Sequence, residues 1–279
     1  MVENIEVRTL AGAEVYMMVD WARREGWNPG LYDAACFHAA DPEGFLVALH
    51  DGEPAAVISV VRYDPSYAFL GLYITRPDLR GQGFGKRVWT AGMRHAGTRT
   101  IGLDGVPAQQ ENYARSGFRL AWRNRRYQGV GGGQADPDLI DLDDIAFGRI
   151  TAFDYDVFEA DRRRFLRFWV AQPDAVRLAS LRGGHLSGWG MMRTCVEGYK
   201  IGPLLAEDPG TAERLLDGLL AAVPGEQVYL DVPDMNADAV RAAEARGMTV
   251  TFETARMYLG TPPELNMAKI WGITTFELG

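Results

Sequence analysis

Leu72-Tyr73-Ile74-Thr75-Arg76-Pro77-Asp78-Leu79-Arg80-Gly81-Gln82-Gly83-Phe84-Gly85-Lys86 is the stretch on which the fold turns. It opens as the end of an aromatic and branched strand, passes a proline, and closes on three alternate glycines. A helix is expected from about Gly83 to Ala96. Glycines at 81, 83 and 85 remove side chains where the backbone must come close to a ligand. The free N–H groups and positive dipole end of the new helix point into the loop. That arrangement suits a phosphate, and Arg80 and Lys86 add positive charge. Two common phosphate loops are excluded. A G-x-G-x-x-G dinucleotide loop needs glycine where Lys86 stands. A Walker loop needs Ser or Thr after Gly-Lys, where Arg87 stands, and the spacing is wrong.

Upstream of this stretch, Phe45–His50 and Ala55–Tyr63 read as strands joined by Asp51-Gly52-Glu53-Pro54, with a helix at roughly Ala13–Glu25 before them. Downstream, a strand is expected at Thr100–Leu103, a helix at about Ala108–Ser116 and a strand at Phe118–Tyr127. Gly129-Val130-Gly131-Gly132-Gly133-Gln134-Ala135-Asp136-Pro137-Asp138 then reads as a boundary, because a glycine row and Asp-Pro-Asp hold neither a helix nor a central strand. Beyond it the order repeats. A helix is expected at about Tyr155–Ala171, a hairpin at Ala175–Leu181 and Leu186–Thr194, and a strand at Tyr199–Leu205. A helix at Thr211–Ala222, a strand at Val228–Val232, a helix at Ala237–Arg246 and a strand at Thr249–Leu259 follow. The repetition predicts an internal duplication. The class is α/β (α+β), with a largely antiparallel sheet and one parallel crossover in each copy. Residues 1–130 form the first unit, 131–140 the linker and 141–279 the second unit. Ile270–Leu278 is expected to be a packed final strand.

The chain has 279 residues, 47% hydrophobic and 24% charged, as in a soluble globular protein. No apolar run reaches the roughly 18 residues of a membrane span. Met1–Glu6 lacks the basic start and apolar stretch of a signal peptide, so a cytoplasmic location is expected. Of the net charge of −8, residues 1–133 carry 15 basic and 14 acidic side chains, and residues 134–279 carry 14 and 23. An acidic second half argues against a nucleic-acid partner. Cys36 and Cys195 make no disulfide framework, and His38, His50, His95 and His185 have no ligand spacing, so no metal is expected.

Arg80-Gly81-Gln82-Gly83-Phe84-Gly85 matches the R/Q-x-x-G-x-G/A loop of the GNAT superfamily of N-acetyltransferases. Leu72–Leu79 resembles the strand and proline that precede that loop. Tyr113-Ala114-Arg115-Ser116-Gly117-Phe118 resembles the superfamily's Y-x-x-x-G-F signature. Glu25-Gly26-Trp27-Asn28-Pro29-Gly30, Ile201-Gly202-Pro203-Leu204, Leu230-Asp231-Val232-Pro233 and Ala255-Arg256-Met257-Tyr258 resemble a two-domain bacterial branch with a divergent second GNAT-like domain. The resemblance thus covers nearly the whole chain and implies two tandem GNAT-like domains.

It also implies roles. Acetyl-CoA would lay its pyrophosphate on the amides of Gly81, Gln82, Gly83, Phe84, Gly85 and Lys86, with Arg80 beside it. Its pantetheine arm would pair with Tyr73, Ile74 and Thr75, and a strand N–H would stabilise the oxyanion. Tyr113 is the expected general acid for the leaving thiolate. Asp33, Asp104 and Glu111 are candidate bases, with Asp104 nearest the expected acceptor entrance. Trp21, Trp27, Tyr32 and Phe37 are candidates for an acceptor pocket. One departure stands out: many members have Asn seven residues before the tyrosine, and this chain has Val106. In the second copy Ala206-Glu207-Asp208-Pro209-Gly210 replaces the loop and Ala243 aligns with Tyr113. That copy should hold no coenzyme and is left to cover the acceptor site or to mediate homodimer contacts. The expected reaction is acetyl transfer to a primary amine of a small molecule or peptide in a ternary complex. A non-catalytic acyl-CoA sensor or scaffold is the alternative.

Overall fold

The computed structural model describes residues 5–279; Met1–Asn4, part of the stretch read above for a signal peptide, lies outside them. The first half runs β1 (Glu6–Thr9), α1 (Val15–Arg24), α2 (Asp33–Ala40), β2 (Phe45–His50), β3 (Glu53–Arg62), β4 (Tyr67–Thr75), α3 (Phe84–Ala96), β5 (Thr100–Gly105), α4 (Gln110–Arg115) and β6 (Arg119–Val130). The second runs β7 (Ile140–Asp141), α5 (Phe147–Phe158), α6 (Arg163–Trp169), β8 (Val176–Arg182), β9 (His185–Thr194), β10 (Tyr199–Ala206), α7 (Pro209–Ala221), β11 (Gln227–Pro233), α8 (Ala237–Ala245), β12 (Thr249–Leu259) and β13 (Ile270–Gly272). The expected hairpin, strand, helix, strand, helix, strand order therefore occurs twice.

Several local expectations change. The single helix expected over Tyr155–Ala171 is two, because Glu159 turns to φ +51° and ends α5. The helix α2 escaped the sequence reading. It is apolar nearly all round, without a stripe, and is buried: Phe37 stacks on Trp169 at 6.2 Å. Gly129 and Val130 belong to β6 rather than to a linker, since Val228 and Gln227 of β11 pair with them. The pairing supplies what the glycine row lacks in propensity. The closing segment pairs as a strand only over Ile270–Gly272, and Ile273–Gly279 continues as buried irregular chain.

One sheet contains both halves, in the order β1-β2-β3-β4-β5-β12-β6-β11-β10-β9-β8-β7, with β13 beside β10. Each half gives its last long strand to the other: β12 lies between β5 and β6, and β6 between β12 and β11. The exchange is locked by two buried ion pairs in register. Arg256 lies opposite Asp104, and Arg126 opposite Asp231. Each pair is a two-point fork at 2.7–2.9 Å, which is what makes the burial of four charges tolerable.

The helix α3 turns Phe84, Val88 and Ala96 onto β2–β4, while α7 packs Ala212, Leu215, Leu216 and Leu219 against β9 and β10. Burying each large apolar side chain stabilises the fold by roughly 1.5–3 kcal/mol. Above α3, β4 and β5 pair in parallel from Tyr67↔Thr100 to Leu70↔Leu103 and then part. The cause is a bulge. Leu72 and Tyr73 together oppose Ile58, and Leu72 takes φ +45°. Gly202 and Pro203 of β10 form the matching bulge, and β10 and β11 part after Ile201↔Leu230.

Candidate active site

The fork between β4 and β5 opens into a cavity of about 480 Å³. Tyr73, Ile74 and Thr75 line it from β4, beyond the last residue paired with β5, so the strand edge facing the cavity has no strand beside it. Gly83, at φ +93°, caps α3 in a conformation that a side chain would strain. Gly81, Gln82, Gly83 and Lys86 are exposed. Phe84 is fully buried and sits edge-on to His50 at 5.0 Å, so it anchors the loop from below. The first turn of α3 holds no acidic residue, and its amides have no partner within the helix. Arg80 folds back instead, donating to the Thr75 carbonyl at 3.1 Å and pairing with Glu25 at 2.5 Å. The Gln82 side chain donates to the Asp78 carbonyl. The Gln82 amide donates to the Leu79 carbonyl, but the first-turn amides of α3 beside Lys86 and Arg87, with an unpaired strand edge nearby, fit a pyrophosphate and its extended amide-bearing arm.

Tyr113 on α4 borders the cavity and packs on Trp89 and Phe118, with ring centroids 5.9 and 6.2 Å away. Burial pushes its phenol well above the usual value, so it keeps its proton near neutrality. Val106, at the position where the resemblance led to an expected Asn, also lines the cavity.

Asp104 reaches the cavity wall with its carboxylate already engaged. Arg256 grips both oxygens, at 2.9 and 2.8 Å, and Asn124 donates at 2.7 Å. Burial raises its pKa, against the pull of Arg256 and Asn124. Asp33 lies elsewhere, fully buried on Arg193 at 2.9 Å, and Glu111 is exposed beside Arg115. Of the four aromatics expected around an acceptor, Trp27 alone lines the cavity. Phe37 is core, Trp21 packs against that core, and Tyr32 donates to Asp174 at the surface.

The rest of the wall was not read from the sequence. Phe252 and Thr254 come from the exchanged strand β12, and Phe276 and Glu277 from the closing segment. Glu277 is buried, and one signal for it existed: it is the lone acid in the apolar run Ile270–Leu278. A buried charge needs a reason. Thr275 donates to its Oε2, and no described residue donates to Oε1.

An acetyltransferase (GNAT) family model matches residues 13–118, and an acetyltransferase (GNAT) domain model matches residues 150–272. A holothin acyltransferase from Pseudoalteromonas sp. (strain SANK 73390) is 34% identical over 275 residues, covering 96% of this chain and 93% of that protein. The chain belongs to the GNAT acetyltransferase family. It is a tandem GNAT acyltransferase, and members of this family use acetyl-CoA. Solved structures agree on the fold. A candidate acetyltransferase from Pyrococcus horikoshii superposes with a TM-score of 0.86 at 20% identity, covering 100% of this chain and 97% of that one. A tandem GNAT protein from the clavulanic acid biosynthesis pathway gives 0.65 at 13% identity, covering 94% and 100%. Among the described residues no group of three or more His, Cys, Asp or Glu is placed to hold a metal ion. No helix among them is long and apolar enough to cross a membrane.

Proposed function

We propose that this GNAT protein transfers an acetyl group from acetyl-CoA to a primary amine of a small molecule, by direct attack in a ternary complex. The observation that carries the reading is the open fork, where an unpaired strand edge, Arg80 and Tyr113 border one cavity and the N-terminus of α3 begins just beyond Arg80. The coenzyme supplies an activated thioester. Residues Gly81–Lys86 hold its phosphates, with Arg80 beside them, and Tyr73, Ile74 and Thr75 align its arm. Tyr113 gives its proton to the leaving sulfur. Holding both reactants in one cavity supplies much of the rate.

The likeness to a holothin acyltransferase supports a small-molecule acceptor. Residues 1–130 are taken as the copy that carries the coenzyme and 141–279 as the copy that walls the acceptor, joined through 131–140. The enzyme is taken as cytoplasmic and independent of a metal.

Acetyl-CoA should raise the melting temperature, and Gly83→Glu should abolish that shift by placing a strained, negative side chain at the cap. No shift in the wild type at millimolar acetyl-CoA removes the binding claim. Tyr113→Phe should lower kcat by about 10²-fold with coenzyme affinity unchanged. Unaltered turnover takes Tyr113 out of the mechanism.

A further inference from the structure

Two facts about the cavity's second wall point the same way. Its aromatic faces, Trp27, Phe252 and Phe276, are held as one unit by Arg126. That guanidinium lies over Phe252 and Phe276 at 5.5 and 4.8 Å and donates to the Trp27 carbonyl at 2.9 Å. The polar groups between the rings are few. Thr254, 1% exposed, has a hydroxyl oxygen with no partner. Glu277 has one carboxylate oxygen without a donor among the described residues, and unlike Asp104 and Asp231 it carries no arginine fork.

The cations behind this wall are engaged. Arg126 is forked on Asp231, Arg193 on Asp33 with its Nη1 left without a partner behind the wall, and Lys200 donates to the Asn28 carbonyl at 2.7 Å. Arg80, on the coenzyme side, is paired with Glu25. An ammonium has three donors and no acceptor, and this wall offers acceptors and π faces. Among the described residues no Lys or Arg lines this wall, so a carboxylate on the same molecule would find no cation there.

We propose that this wall is the acceptor subsite, that it takes a small amine with an apolar or aromatic body and no carboxylate, and that Glu277 is the base. The proposal rests on the amine-acetylation reading above. In the step, the bound ammonium gives a proton to Glu277, which returns it to solvent. The freed nitrogen lone pair forms the N–C bond at the thioester carbon. The C–S bond breaks with its electrons on sulfur, and sulfur takes the Tyr113 proton. The second proton of the acylated nitrogen passes through water to the Tyr113 oxygen, restoring it. The products are one amide, one thiol and one released proton.

The test uses acetyl-CoA with 2-phenylethylamine and with phenylalanine, following thiol release from pH 6 to 10. In the wild type, kcat/KM for 2-phenylethylamine should exceed that for phenylalanine about 100-fold, since the second substrate brings an unpaired carboxylate against Glu277. Equal rates, or preference for phenylalanine, overturn the subsite. Glu277→Gln should lower kcat at pH 7 by about 10³-fold and gain about tenfold per pH unit, approaching wild type near the amine's own pKa of about 10. It should also weaken binding of 2-phenylethylamine about tenfold, measured by calorimetry without coenzyme, while the acetyl-CoA thermal shift persists. A role limited to balancing the buried cations would instead lower the melting temperature and leave the shape of the pH profile unchanged. That result overturns the base. If Glu277→Gln does not fold, Glu277→Asp decides: a base profile shifted but retained supports the proposal, and a profile identical to wild type with full turnover opposes it. Wild-type protein that binds acetyl-CoA but releases no thiol with any amine defeats the underlying reading instead.

Discussion

The fork between β4 and β5 is open, and the fork between β10 and β11 is filled, although matching residues build the two. Gly71 and Gly202 stand at the bulges, Asp104 and Asp231 at the ends of the partner strands, and Arg256 and Arg126 on the exchanged strands. The difference lies in what enters. In the second fork β13 pairs with β10, and the Ile273 N–H donates to the Asp231 carbonyl. The chain then crosses to the first fork, where Glu277 passes over Gly71. The second half also has Pro203 where Leu72 stands, so its bulge has one fewer N–H donor. The carboxylate of Asp208 caps α7, accepting from the Thr211 amide where the first half leaves its amides free. One fork has thus become a wall that reaches into the other.

The comparison breaks first at the exchanged strands. Arg126→Ala or Arg256→Ala leaves a buried aspartate without its fork, and each should cost about 3–5 kcal/mol in urea unfolding. A loss below about 1 kcal/mol for one alone would mean that the exchange is held at a single crossing. Next come the bulge glycines. A side chain at Gly71 would overlap the Glu277 carbonyl, and one at Gly202 would meet the Thr274 carbonyl at 2.5 Å. Both Gly71→Val and Gly202→Val should destabilise by roughly 1–3 kcal/mol. Their functional effects should part: Gly71→Val removes turnover, whereas Gly202→Val keeps the acetyl-CoA thermal shift. Loss of that shift in Gly202→Val would show that the filled fork supports the coenzyme side directly.

A smaller effect separates the two buried aspartates by pH. Burial works to raise Asp231, but Arg126, with Lys200 and Arg193 nearby, outweighs it and holds the carboxyl below the usual range. Its folded pKa is depressed. Its stabilisation is therefore present above the unfolded value of about 4 and lost as pH falls below it, at no more than about 1.4 kcal/mol per pH unit. Asp104 is raised, so its contribution has the opposite sign and is lost as pH rises through its folded value. Between pH 5 and 2, Arg126→Ala should flatten the fall in urea midpoint and Arg256→Ala should not. Equal flattening would place the two pairs in equivalent fields.

Periodicity and turn chemistry made the duplicated element order readable, and the loop at Arg80–Lys86 gave away one side of the site. Those signals are local. The exchange of β6 and β12 was not readable, because nothing in either strand's alternation names its neighbour. The same limit hid Phe252 and Thr254, which look like ordinary strand residues until β12 is placed beside β5. Glu277 was hidden differently: a single acid in an apolar run gives no period or motif, and only the crossing over Gly71 gives it a cavity to face. Asp104 was readable as an acid at a strand end, but its partner Arg256 lies 152 residues away.

The smallest effect concerns the blocked end of α7. Asp208→Ala removes an N-cap and the contact with Arg182, and should cost about 1 kcal/mol. It also frees the Thr211 amide and removes one of two acids from the place that matches the coenzyme loop. Even so, calorimetric titration with acetyl-CoA should still give one site per chain. Removing the cap changes the helix end, but β13 still occupies the fork where the arm would run, and Ala243 still stands in place of Tyr113. A stoichiometry of two would mean that the cap alone excludes the coenzyme and that the filled fork opens on demand.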